Sequence, residues 1–282
     1  NNQAGILDII SNLFSSFSNN KILYCHWKSN QHLTASMKGD TDLDLLFDYK
    51  QTKEIRETLI SCGFKLYKSP WFKTYPFIED FLGIDYKTGK IIHVHVHYKL
   101  ILGETNVKGF HLNFEDEVLK TRIKDSEFGI YIVNAEFEML LLLLRYIIKR
   151  NFSRKYGIRR ILNSSVVENT NTYIEFNWLK NKINKDKFLE LSENYTGKET
   201  TQVFSYFLDN NLDNNTADKQ RSNVLLSIKE FRRVNPVSVE FISFFKDIFY
   251  FYFRILKRHN LTDNPLKRVF VDEGVVIVFL GA

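Results

Sequence analysis

Apolar residues recur at steps of three and four over Ile6, Ile9, Ile10, Leu13, Phe14 and Phe17, which predicts an amphipathic helix ending at Asn19-Asn20. The period then changes. "KILYCHW" predicts a strand, "SNQHLTASM" a short helix and "TDLDLLFD" a second strand, in which apolar and acidic residues alternate. "KQTKEIRETLISCGF" predicts a helix with Gly63 as its C-terminal cap, and "FLGIDY" and "IIHVHVHY" predict two strands joined by the tight-turn signal "KTGK". Helices alternating with strands predict an α/β or α+β unit over residues 1–130, a mixed sheet with flanking helices.

From "GIYIVN" onward the pattern turns helical. Asn134 predicts an N-cap with Glu136 and Glu138 in the first turn, ahead of the apolar run "EMLLLLLRYIIKR", which reads as a buried helix with a basic tail. Helical spacing continues through "WLKNKINKDKFLELSENY", "TTQVFSYFLDN", "KQRSNVLLSIKEFRRV" and "VEFISFFKDIFYFYFRILKR", so residues 131–262 are expected to form a mostly helical domain. The aromatic last segment is interrupted by Lys246, Asp247 and Arg254, which excludes a membrane span and favours a helix buried in that domain over one whose aromatics dock on a membrane surface or a partner. Residues 263–282 read as a linker and the short apolar strand Val275 to Leu280, the start of a further domain.

With 282 residues, 44% of them hydrophobic, the chain is long enough for two domains. A formal charge of +6 favours anionic partners, among them nucleotides. Cys25 and Cys62 lack a C-x-x-C spacing and suit a reducing compartment, and "NNQAGILDIISNLF" has no leader pattern, so a cytoplasmic protein is expected. Basic and aromatic residues do not interleave as they do where single-stranded nucleic acid is gripped, so a nucleic-acid partner is not favoured.

The candidate chemistry lies in "KGDTDLDLLFD". Asp40, Asp42, Asp44 and Asp48 share one parity and Leu43, Leu45 and Phe47 the other, placing carboxylates side by side on one face of a strand. Positions two apart on a strand are about 6.6 to 6.8 Å apart at Cα, close enough for Asp42 and Asp44 to hold a pair of divalent ions about 3.5 to 4 Å apart. Surface strands also alternate Asp with apolar residues without binding anything. Clustered carboxylates predict mutual repulsion, which Asp42→Asn would relieve if no metal were bound. His93, His95 and His97 likewise share a face, from which two imidazoles can take zinc, or which simply forms hydrogen bonds. Gly39 allows a close backbone approach to a phosphate, and Lys28 and Lys38 flank the acidic strand. A second basic cluster, Lys149, Arg150, Arg154, Lys155, Arg159 and Arg160, suits a polyphosphate or a solvated face.

Helix, strand, short helix, a G-x-x-D-x-D strand, helix and further strands, over roughly residues 20–150, resemble the nucleotidyltransferase fold of the DNA polymerase β superfamily. The motifs are Lys28 in "HWKSN", Asp42 and Asp44 in "DTDLD", and "VHVHYKL". The resemblance implies a nucleoside triphosphate substrate, a hydroxyl acceptor such as a sugar or sugar-phosphate, Mg2+ or Mn2+ on Asp42, Asp44 and the "VHVHY" position, and nucleotide phosphates near Lys28, Gly39 and Arg150. That last ligand position is His95 here rather than an acid, which suits Mn2+ or Zn2+ better than Mg2+, and Asp85 on the preceding strand is a compensating carboxylate. "VVIVFLGA" resembles the first strand of a P-loop kinase of the thymidylate-kinase-like type, although no G-K-[ST] follows. The combination resembles a bacterial family linked to surface-polysaccharide synthesis. Two other readings stay open: a non-catalytic nucleotide sensor or docking platform for the kinase-like domain, and a zinc-dependent hydrolase built on the three histidines.

Overall fold

A computed structural model describes residues 5–69, 71–104, 106–149 and 166–252. Helix α1 (Asp8–Asn19) buries Ile10, Leu13 and Phe17 completely, as its three-and-four spacing requires. Strand β1 (Tyr24–His26) follows, then a turn of 3₁₀ helix and the short α2 (Leu33–Met37), β2 (Leu43–Phe47), α3 (Thr52–Ser61) and β3 (Lys65–Tyr67). Next come β4 (Ile78–Ile84), β5 (Ile91–His97), β6 (Leu100–Leu102), β7 (Phe110–Leu112), α4 (Glu115–Lys120), β8 (Ile123–Lys124) and β9 (Tyr131–Ile132). Seven strands make one mixed sheet in the order β3-β4-β5-β2-β1-β9-β8, with β2–β5 and β1–β9 parallel, while β6 and β7 pair separately. This is the mixed sheet with flanking helices expected from the sequence, although β9 comes from beyond residue 130, where the expected boundary lay.

Two apolar clusters flank the sheet. Leu43, Leu45, Phe47, Phe81, Val94 and Val96 pack with α1 and α3 on one face. On the other, Cys25, Trp27 and Leu46 join the core of the helical part. That part comprises α5 (Ala135–Ile148), α6 (Val166–Lys180), α7 (Lys185–Asn210), α8 (Asn214–Ser227) and α9 (Pro236–Phe251), with α7 broken at Gly197. Asn134 caps α5 as predicted, its side chain accepting from Phe137 N–H, but Glu138 turns inward and is buried.

Two identically built turns end α2 and α3. Asp40 N–H bonds Ala35 O and Gly39 N–H bonds Ser36 O, as Phe64 N–H bonds Leu59 O and Gly63 N–H bonds Ile60 O. Each is a Schellman motif, with its glycine in the left-handed region at φ +69 and +89. Gly39 is therefore a helix terminator. A Cβ there would also lie 2.7 Å from Leu7 Cδ1 and 2.8 Å from Ile92 Cδ1.

Two expectations need correction. Strand β4 begins at Ile78 rather than at Phe81, because the Pro-flanked aromatic segment ahead of it masks the start of the alternation. The aromatic helix α9 is not buried: Phe241 and Phe244 are 63% and 61% exposed. Among the described residues no helix is long and apolar enough to cross a membrane. The basic residues Arg150, Arg154, Lys155, Arg159 and Arg160, and the kinase-like strand within 263–282, lie outside the described residues.

Candidate metal centre

The register across three adjacent strands builds the site. Asp44 on β2 pairs with His95 on β5, and His95 pairs with Asp80 on β4, so an acid, an imidazole and an acid stand in a row on one face of the sheet. His93 and His97 flank His95 along β5. Leu43, Leu45, Val94 and Val96 point to the opposite face, so the apolar core itself fixes which side carries the chemistry.

Three donor atoms converge. Asp44 Oδ1 is 3.1 Å from His95 Nδ1, His95 Nδ1 is 3.3 Å from His97 Nε2, and His97 Nε2 is 3.8 Å from Asp44 Oδ1. Donors about 2.1 Å from a common ion at tetrahedral or octahedral angles stand about 3.0 to 3.4 Å apart, so this triangle is close to the size that a small divalent cation requires. Two nitrogens and one carboxylate oxygen suit Mn2+, Zn2+ and similar ions better than Mg2+.

The electrostatics keep these groups ready to coordinate. Burial opposes the charge of Asp44, but the Lys28 ammonium at 2.7 Å and the hydrogen bond with His95 Nδ1 at 3.1 Å hold its carboxyl well below the usual range. Burial holds His97 well below the usual imidazole range, in the neutral form that coordinates metals. Its ring meets Trp27 edge-on at 4.9 Å, and among the described residues its Nδ1 has no hydrogen-bond partner.

A second set adjoins the triangle. His93 Nδ1 lies 3.0 Å from Asp42 and its Nε2 2.9 Å from Asp80, while His95 Nε2 lies 3.5 Å from Asp80. Hydrogen bonds donated to both carboxylates push His93 up to about 9, making it an imidazolium clamped between Asp42 and Asp80. Since this value lies above the unfolded value of about 6.5, the clamp stabilises the fold fully below that pH, and the contribution is lost as pH rises through about 9. After screening at the exposed Asp42, the loss is about 1 to 2 kcal/mol. Melting curves of wild type and His93→Gln in EDTA are therefore expected to converge between neutral and alkaline pH. Curves that stay parallel would contradict the clamp.

The loop carrying Lys28 is fastened from the helical part. Trp27 N–H bonds Asp44 O at 3.1 Å, and Ser29, held in the left-handed region at φ 57, donates its N–H to Glu175 Oε1 at 3.1 Å. Asn30 donates its backbone N–H and side-chain amide to Glu138 at 2.8 and 2.7 Å, and Arg145 pairs with Glu175 at 3.2 Å. Burial pushes Glu138 up to about 7. A further cation enters from the loop before β7: Lys108, over the Tyr75 ring at 4.3 Å, is pushed down to about 8 by burial and by the charge of Lys28, and it feels the fields of Asp44 and Asp80.

Of the residues singled out in the sequence, Asp44, His95 and Lys28 come together as direct neighbours. Asp42 shares their face but bonds His93 rather than joining the triangle. Asp85 does not belong: it lies at the β4–β5 turn on the α1 side of the sheet, where it accepts from Ile9 N–H, Thr88 N–H and the Thr88 hydroxyl. Asp80 takes the place assigned to it. Asp40 pairs with Lys90, and Asp48 accepts from Lys50 N–H in a 3₁₀ turn. Asp80 and Lys108 escaped the sequence reading because β4 starts earlier than its pattern shows and because Lys108 sits in an irregular loop.

No protein-family model matches the chain, and no curated protein does. Among solved structures, JHP933 from Helicobacter pylori aligns over 79% of this chain and 90% of its own, with 11% identity and a TM-score of 0.35. A structure named "putative nucleotidyltransferase from H. pylori" aligns over 79% and 93%, with 13% identity and a TM-score of 0.31. Likeness at this level carries no weight for function.

Proposed function

We propose that this chain is a divalent-metal-dependent nucleotidyltransferase-type module that moves a nucleotidyl group from a nucleoside triphosphate to a hydroxyl acceptor, a sugar or sugar-phosphate being the class favoured by the family resemblance. The observation that carries the reading is the Asp44, His95 and His97 triangle beside two further carboxylates and Lys28. An ion held there supplies charge neutralisation to the phosphates and polarises them toward attack. Lys28, paired with Asp44, and Lys108, which feels the charges of Asp44 and Asp80, would contact the triphosphate. The acceptor oxygen bonds the α-phosphorus as the bond to the bridging oxygen breaks and pyrophosphate leaves. The hydroxyl proton passes to Asp42, whose carboxylate is 57% exposed. The protein acts by alignment and electrostatics, with no covalent intermediate.

One observation favours the sensor or docking reading: Lys28 already neutralises Asp44 at 2.7 Å, so the centre is balanced without an ion. Thermal unfolding with each nucleoside triphosphate, with Mn2+ or Mg2+ and with EDTA, separates the two. Ligands that bind only the folded state raise the midpoint. The transferase reading predicts a metal-dependent shift that is lost in the Asp42→Asn/Asp44→Asn double variant. No shift with any triphosphate and metal would leave the docking reading.

A further inference from the structure

A cleft of about 520 Å³ opens on the α1 side of the sheet, between α1 and the β8–β9 hairpin, on the face opposite His95. Its volume is within the range of small-molecule sites, about 300 to 1,000 Å³. Phe14, Tyr24 and Phe128 give it apolar walls, and Lys21, Arg122 and Lys124 converge on it without a single carboxylate in its lining. Ser11, Ser15 and Ser18 line the α1 side.

One feature of this cleft is costly unless something binds there. Arg122 lies over the Tyr131 ring at 4.4 Å and donates to Leu119 O, yet among the described residues its buried Nε has no hydrogen-bond partner. Burying such a donor unpaired carries a penalty that an anionic oxygen would remove. Lys21 lines the cleft from the turn after α1, which is held by Lys21 N–H to Ser18 O and by Gln51 donating to Lys21 O. Among the described residues neither Lys21 nor Lys124 has an ion-pair partner.

We propose that this cleft is a second ligand site, separate from the metal centre, for a small organic phosphate: the phosphate meets Arg122, Lys21 and Lys124, and a planar apolar body lies against Phe14, Tyr24 and Phe128. No metal takes part, so the site operates in chelator.

The test uses phenyl phosphate as probe, titrated in EDTA and followed by ligand-observed NMR, beside inorganic phosphate and benzyl alcohol. Saturable 1:1 binding of phenyl phosphate, weaker binding of both controls, and the same affinity in Asp44→Asn are expected. Arg122→Gln/Lys124→Gln is expected to weaken it about tenfold or more, since two charge-assisted contacts are removed. Because Arg122 is partly buried, Ser15→Trp serves as the independent variant: it fills the cleft from an exposed helix position and is expected to abolish binding in a protein that melts like wild type. No saturable binding in EDTA, binding equal to that of either control, binding indifferent to both variants, or binding lost in Asp44→Asn would each overturn the proposal.

Discussion

Asp44→Asn is expected to lower affinity for Mn2+ or Zn2+ about 100-fold or more, because it removes the only anionic donor of the triangle and leaves the two imidazoles alone. The same change is expected to cost stability in EDTA. Clustered acids in the sequence imply repulsion that an amide would relieve, but the structure surrounds Asp44 with Lys28, His95 and His97. Removing its charge strands a largely buried ammonium, for which about 1 to 3 kcal/mol is reasonable at a partly solvated site. Isothermal titration with Mn2+ and denaturant unfolding in chelator measure the two effects separately. Unchanged metal affinity would show that the ion, if any, binds elsewhere. A more stable variant would show that repulsion dominates after all.

Gly39→Ala is expected to destabilise by about 2 to 4 kcal/mol, the sum of a left-handed alanine and a Cβ driven into Leu7 and Ile92 at 2.7 and 2.8 Å. Gly63→Ala is the internal control. It ends α3 by the same motif, but its Cβ would meet nothing within 4 Å, so only the conformational cost of about 1 kcal/mol remains. Denaturant midpoints for the two variants should therefore differ clearly. Equal losses would mean that the packing around Gly39 yields freely, and a change in ligand affinity without loss of stability would restore Gly39 as a phosphate contact.

What the sequence reveals depends on the range of the interactions involved. The alternation of Leu43, Leu45 and Phe47 with Asp42 and Asp44 is a period-two signal, and the buried and polar faces of β2 follow it directly. The same holds for His93, His95 and His97 against Ile92, Val94 and Val96. Which acid faces which histidine is a matter of register between strands far apart in sequence, and local pattern does not encode it. Asp85 and Asp80 lie on the same strand-turn segment, yet five residues of strand and opposite parity place them on different faces. The same limit applies to Glu138: its position in the first turn of α5 suggests only a favourable dipole interaction, whereas its partner, Asn30, is 108 residues away. The α9 aromatics are a different case. Apolar spacing marks a face but does not say whether the chain itself covers it, and here Phe241, Phe244 and Phe245 stay exposed.

We propose that Asp44, His95 and His97 together coordinate a divalent ion. Pulsed EPR of the Mn2+-loaded protein tests it most directly, since nitrogen couplings report imidazole ligands independently of activity. Couplings from two imidazoles, reduced to one in His95→Ala and in His97→Ala and absent in the double variant, are the predicted result. A Mn2+ signal with oxygen ligands alone, unchanged in those variants, would contradict the account.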